Sequence, residues 1–227
     1  MKWAAAAAAM AALAGVATSA HAAGPIPVDR VAARFEASEL GGPARPRFIF
    51  ERELAFEARV EALAEKKRGF ALGGAYEDRH LRAALERHVT EEILQSLPIE
   101  PAVSSDDIRR RAVTATLVLE QRVDGRENLL EAATAEGLEE GDLQVIVRRQ
   151  ARASLYLDRM VAPMLNPSDA ELLEVLRSEP TPYRGRPFDQ VATPLRHWYV
   201  EERLVSALAA FFQGARARIR IVIIGRE

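Results

Sequence analysis

The chain has 227 residues, of which 48% are hydrophobic and 28% charged, and its formal net charge is −2. That composition supports a substantial apolar core, and the near-neutral balance gives no electrostatic case for nucleic acid, which needs a clustered basic face. With no cysteine, the chain has neither a disulfide nor a thiol to carry a lipid anchor, so its core alone must hold it together.

The first residues, "MKWAAAAAAMAALAGVATSAHA", place Lys2 before an uncharged Ala-rich stretch that runs to about Val16. Small residues follow and end in Ala20-His21-Ala22. This three-part pattern predicts a signal peptide over 1–22, cleaved to leave a mature domain over 23–227 in the periplasm. The alternatives are an uncleaved anchor or an Ala-rich tail. The apolar run is shorter than the roughly 20 strongly apolar residues of a membrane span, so no stable membrane insertion is expected after cleavage.

From Val28 to Ala37 apolar residues alternate with Arg30 and Arg34, the period of a strand. Gly41-Gly42-Pro43 marks a turn, and Arg47–Phe50 returns as a short second strand. The pattern then switches to helix, with Leu54, Phe56, Val60 and Leu63 near a 3.6 period up to Arg68. A second helix spans about Tyr76 to Leu97, where Leu81, Leu85, Val89 and Ile93 form one stripe. Ser104 caps a third, reaching about Val123, and a short fourth covers about Glu127 to Ala135. A long helix carries Leu143, Ile146, Val147, Leu155 and Tyr156 to Pro163. Ser168 and Glu171 form a capping box for a short helix, and Glu179–Pro187 is a Pro-rich linker. The last helix, about Phe188 to Phe212, is expected to be interrupted or kinked at Pro194.

"ARIRIVIIG" (Ala217–Gly225) closes the chain as a strand, with Ile219, Ile221 and Ile223 expected under the helices and Arg218 and Arg220 outward. A lone strand leaves its N–H and C=O groups unpaired. Its strongest candidate partner is the strand near the N-terminus. The fold class is therefore mainly α: six to seven helices closed by a small antiparallel sheet that pairs the N-terminal strands with the C-terminal one.

No catalytic motif accompanies these elements. G-x-S-x-G, Ser-x-x-Lys, H-E-x-x-H and phosphate-binding glycine loops are absent from the sequence. Glu77–His80 is an isolated E-x-x-H, with His88 and Glu92 further along, and di-iron bundles need two such motifs. These groups read as a solvated helix face. Arg148, Arg149 and Arg152 likewise read as a solvated basic face, partly paired with Glu139 and Glu140. No metal, cofactor or enzymatic activity is expected. The aromatics, Phe48 and Phe50 included, read mainly as core. Adjacent helical residues point about 100° apart, so Trp198-Tyr199 and Phe211-Phe212 cannot all face one narrow core. Met160 and Met164 add an adaptable apolar surface.

The order of motifs resembles the N-terminal chaperone module of SurA-type periplasmic peptidyl-prolyl isomerases. The residues that carry the likeness are Val28–Phe35 ("VDRVAARF"), "FIFEREL", "VTEEIL", "VSSDDI", "NPSDAELLEVL" and "PFDQVATPLRHWYVEERLVSALAAFFQGARARIRI". Relatives insert parvulin isomerase domains where this chain has only the 179–187 linker. The resemblance thus implies a periplasmic chaperone body without isomerase activity. Such a body would bind extended apolar segments of unfolded clients, outer-membrane proteins in transit among them. Candidate client-binding residues are Met160, Met164, Trp198, Tyr199, Phe211 and Phe212. The competing reading is an assembly protein that reuses the fold as a homodimer, by exchange of the terminal strand, or as a dedicated partner module.

Overall fold

Alternation does make Val31–Glu36 a strand, β1, and a computed structural model shows both of its neighbours. The structure describes residues 29–215 and 217–224, the side chains of Phe212 and Ala215 excepted. The expected signal peptide at 1–22 and Val28 lie outside the described residues, and Asp29 and Arg30 precede the strand. The sheet is antiparallel with the order β2-β1-β3, where β2 is Arg47–Phe50 and β3 is Arg220–Ile223. Ala33 stands opposite Ile49 on one side and Ile223 on the other. The strands nearest the two ends of the chain therefore pair, as the orphan strand required. Between β1 and β2 the turn is made by Ser38–Leu40 in 3-10 form, ended by Gly41 at φ 74°, a left-handed conformation that suits glycine.

Seven α-helices follow among the described residues: α1 (Glu51–Lys67), α2 (Asp78–Ser96), α3 (Ser105–Arg122), α4 (Arg126–Ala135), α5 (Glu140–Tyr156), α6 (Asp169–Ser178) and α7 (Phe188–Ala215). The expected caps are present. The Ser104 hydroxyl accepts from the Asp107 N–H and the Ser168 hydroxyl from the Glu171 N–H, each with its reciprocal bond.

Two expectations about helix shape are corrected. The long helix stops at Tyr156, and a π turn (Leu157–Val161) and a 3-10 turn (Ala162–Leu165) carry the chain to α6. Met160 and Met164 consequently lie on these turns and not on one helical stripe. At the other site, α7 continues through Pro194, so of the interruption or kink expected there the interruption is absent. Proline's φ is helical, so it removes one backbone bond without forcing an end. Val191 and Leu195, on either side of it, are both buried and hold the helix in place.

Apolar side chains gather in three clusters. The inner face of the sheet (Ala33, Phe35, Ile49) and Ile219 pack on Ala58 of α1 and on Val89 and Ile93 of α2. Phe56, Val60, Leu119, Leu129 and Ile146 join α1 to α3, α4 and α5. Leu172, Val175 and Leu195 join α6 to α7. Ile219 is buried and Ile221 half-buried, but Ile223, expected under the helices, is 71% exposed. It lies at the edge of the sheet, over an open cleft of about 470 Å³ beside α1 and α2. Phe48 and Phe50 are also corrected, being 54% and 41% exposed. Ile49 between them points inward, so the pleat turns both rings outward.

Deleting residues 217–227 should take Ile219 out of the first cluster and unpair one edge of β1. Losing one large buried aliphatic side chain costs about 2–5 kcal/mol. For a domain of this size that corresponds to a fall in Tm of at least about 5 °C. A thermal melt followed by circular dichroism measures it, and an unchanged Tm would refute closure by β3.

Candidate functional site

Glu53, Glu57 and Glu61 repeat every four residues along α1, so their side chains share one face. Arg87, His88 and Glu91 of α2 meet that face, and Arg149 of α5 enters between the two helices. Arg149 is only 4% exposed. Its Nη1 donates to Glu53 Oε1, its Nη2 to Glu57 Oε1, and its Nε to Glu91 Oε2 at 3.1 Å. Arg87 pairs with Glu61 and lies 3.7 Å from both Glu57 Oε2 and Glu91 Oε1. Arg122 of α3 donates to Glu61 Oε2 at 2.7 Å, and His88 Nδ1 lies 3.3 Å from Glu57 Oε1. Four helices are thereby joined through charge. Guanidinium, with five donors in a planar fork, reaches three carboxylates on two helices through three separate nitrogens.

The charge states follow from these contacts. Burial alone would raise the Glu57 pKa, but the facing Arg149, His88 and Arg87 outweigh it and bring the carboxyl down to about 2. Arg149 loses by burial and gains more from Glu57, Glu53 and Glu91, so its pKa is raised. Glu91 is pushed up, first by burial and then by the Glu57 charge, against the pull of Arg149 and Arg87. Glu53, Glu57 and His88 also offer ligand atoms within 4.8 Å of one another, a spacing that suits a cation. Here the Arg149 guanidinium takes the two carboxylate oxygens that a metal would need.

These positions overturn two sequence expectations. His80 and His88 are buried instead of solvated. The E-x-x-H is a helix cap: the Glu77 N–H donates to His80 Nδ1 at 2.9 Å, while His80 Nε2 sits 3.0 Å from Glu65 Oε2 on α1. Of the expected basic face, only Arg148 is exposed. Arg149 is in the network, and half-buried Arg152 donates to the Leu97 carbonyl at 2.9 Å.

Beside the network lies a groove of about 740 Å³, with Arg87, Glu91 and Arg122 in its wall. Leu94 of α2, Val118 and Leu119 of α3, Leu157, and Leu208 of α7 supply its apolar lining. α7 forms one side because it is held mainly at its ends. Leu195 packs on α6, and Phe211 reaches the cluster under the sheet, about 24 Å further along at 1.5 Å per residue. The Thr90, Thr114 and Ser154 hydroxyls in the groove donate back to carbonyls of their own helices. The Gln150 and Gln213 side chains, also in its lining, make no hydrogen bond to another described residue. No histidine lines it.

None of the five candidate residues with described side chains (Met160, Met164, Trp198, Tyr199 and Phe211) lines this groove. Trp198 and Tyr199 pack together on the α6–α7 cluster, with the Arg203 guanidinium 5.0 Å from the Tyr199 ring centroid. Met160 is half-buried on the π turn and Met164 is exposed on the 3-10 turn. Phe211 packs beneath the sheet. The Phe212 side chain lies outside the described residues. The network and the groove were both missed by sequence reasoning. The four-residue spacing of Glu53, Glu57 and Glu61 was a usable signal for the first; none existed for the second. Compared with known proteins, the chain matches no family model, no curated protein and no solved structure.

Replacing Arg149 by Met should cost about 3–5 kcal/mol at pH 7, because it strands buried carboxylates. Glu57, depressed from 4.5 to about 2, contributes stability that is present above pH 4.5 and lost as pH falls toward 2. Glu91, whose pKa is raised, acts oppositely: ionising it costs stability that acid restores. Without Arg149 both carboxyls protonate more readily, so the gap between wild type and variant should narrow from pH 7 to pH 3. Urea unfolding at the two pH values measures it, and an equal gap would show that Arg149 does not hold Glu57 ionised.

Proposed function

We propose that this protein is a chaperone-like binding protein that holds extended, apolar segments of unfolded polypeptides in the groove beside α7. The groove itself carries this reading. Its volume falls within the range of about 300–1,000 Å³ typical of ligand sites, and its lining is apolar with a few polar groups. Gln150 and Gln213 can offer amide donors and acceptors to a client backbone while Leu94, Val118 and Leu208 cover its side chains.

The resemblance to SurA-type chaperone modules and the signal-peptide pattern support the same reading and extend it. The site of action would be the periplasm, the clients would include outer-membrane proteins in transit, and prolyl isomerisation would be absent. Without an ATP site, release depends on modest affinity and on competition by the next acceptor. The second reading, an assembly protein that dimerises by exchanging its terminal strand, draws on one observation. β3 is a short edge strand whose Ile223 is exposed, and another copy could supply the same pairing in the same register. Light scattering that gives a fixed dimer without client binding would favour it.

The test is binding of fluorescent, aromatic-rich unfolded peptides, followed by anisotropy. Micromolar dissociation constants are expected, roughly −8 kcal/mol. Val118→Glu and Leu208→Glu should each weaken binding at least about tenfold by placing a charge in the apolar lining. Both variants should keep the wild-type circular dichroism. A protein that neither binds such peptides nor slows client aggregation would sink the proposal.

A further inference from the structure

The sheet rests its inner face on α1 and α2, and no described helix covers its outer face. On that face Phe48, Arg34 and Val222 stand side by side across the three strands, and Phe50 stands opposite Val31. Phe48, Phe50, Arg34 and Val222 are all exposed. Two large rings left in water on a four-residue strand are an unusual expense of apolar surface.

The charge around them is one-sided. Arg34, Arg45, Arg47, Arg218 and Arg220 are exposed, and none forms an ion pair with another described residue. Arg220 shares the outer face with Arg34 and Val222, while Arg47, opposite Phe35, has the parity of Ile49 and reaches solvent at the rim of the same end of the sheet. Arg45 and Arg218 sit just outside the strands at that end. The described acids in and beside the strands are Glu36 and Glu39 near that end, and Asp29 and Glu51 at the opposite end, where they pair with Arg52 and Arg30. A basic, aromatic face on an acidic protein calls for an anionic partner.

We propose that this outer face docks peripherally on an anionic lipid bilayer. Phe48 and Phe50 seat among the headgroups, and the arginines pair with lipid phosphates through their forked donors. A bilayer suits the face better than a protein does. Neither the groove beside α7 nor the cleft beside α1 and α2 is lined by Phe48, Phe50 or Arg34. A lipid surface needs only apolar area and attractive charge. The inference does not rest on the groove, whose lining includes no residue of the sheet.

The experiment uses the chain 23–227, which retains every described residue and excludes the Ala-rich N-terminus. Co-sedimentation is measured with vesicles containing phosphatidylglycerol and with pure phosphatidylcholine vesicles. Binding to the anionic vesicles should exceed binding to the neutral ones by at least about tenfold and should fall as salt is raised. Phe48→Ser/Phe50→Ser, and separately Arg34→Ser/Arg220→Ser, should each reduce anionic binding several-fold while peptide binding in the groove is unchanged. The arginine pair, fully outside the core, decides the matter should the phenylalanine pair fail to fold. Absence of vesicle binding, or binding that the arginine variant leaves intact, overturns the proposal. So does capture of an acidic polypeptide such as polyglutamate without any vesicle binding, which would assign the face to a protein partner.

Discussion

The structure depends on one guanidinium. Arg149 stands where α1, α2 and α5 converge, and it meets a carboxylate from Glu53, Glu57 and Glu91 with each of its three nitrogens. Apolar contacts tolerate a helix that slides or rotates, because one methyl group resembles another. A buried arginine surrounded by acids does not: moving α5 by one turn would leave a cation and several anions unpaired in a dry interior. The network therefore fixes how these helices sit relative to one another. The same residues reach the groove, since Arg87, Glu91 and Arg122 form part of its wall. The shape of the groove proposed for binding is set by charges that a ligand need never touch.

α7 gives the other wall, and its character is different. Leu195 is fully buried against α6 and Phe211 packs under the sheet, but residues between them, such as Val205, stand exposed. The helix works as a bar fixed at two ends. Low packing along its middle leaves the groove open on one side, and Glu201, Glu202 and Arg203 face water along that stretch. Groove-lining and anchoring residues thus occupy different parts of one helix.

Much of this was legible in the sequence wherever the signal was local. The alternation around Ala33 and Phe35, the isoleucine–arginine alternation near the C-terminus and the serine caps at Ser104 and Ser168 each have a short-range cause, and each is realised except at Ile223, where the alternation runs past the helices' cover. Phe48 and Phe50 were misread because residue type was given more weight than alternation; with Ile49 inward, the pleat leaves them no choice. Arg149 is harder. A helix period marks it as polar, but only the packing of α5 against the Glu53–Glu57–Glu61 row decides whether that polarity meets water or carboxylate. The groove had no local trace at all. Leu208 and Val118 are ordinary helix residues until two distant segments place them on facing walls, and the adjacency argument led instead to Trp198 and Tyr199, which are engaged with α6.

The pairing of Ala33 with Ile223 also sets an order of events. A ribosome delivers β1 and β2 first and then the whole helical body before it reaches residues 220–223. At about 5–20 residues per second, β1 spends many seconds with one neighbour missing. Contacts so distant along the chain are the slow ones to form. For that interval the nascent protein presents an unpaired strand edge beside a partly covered Phe35, the kind of segment it is itself proposed to shelter in others.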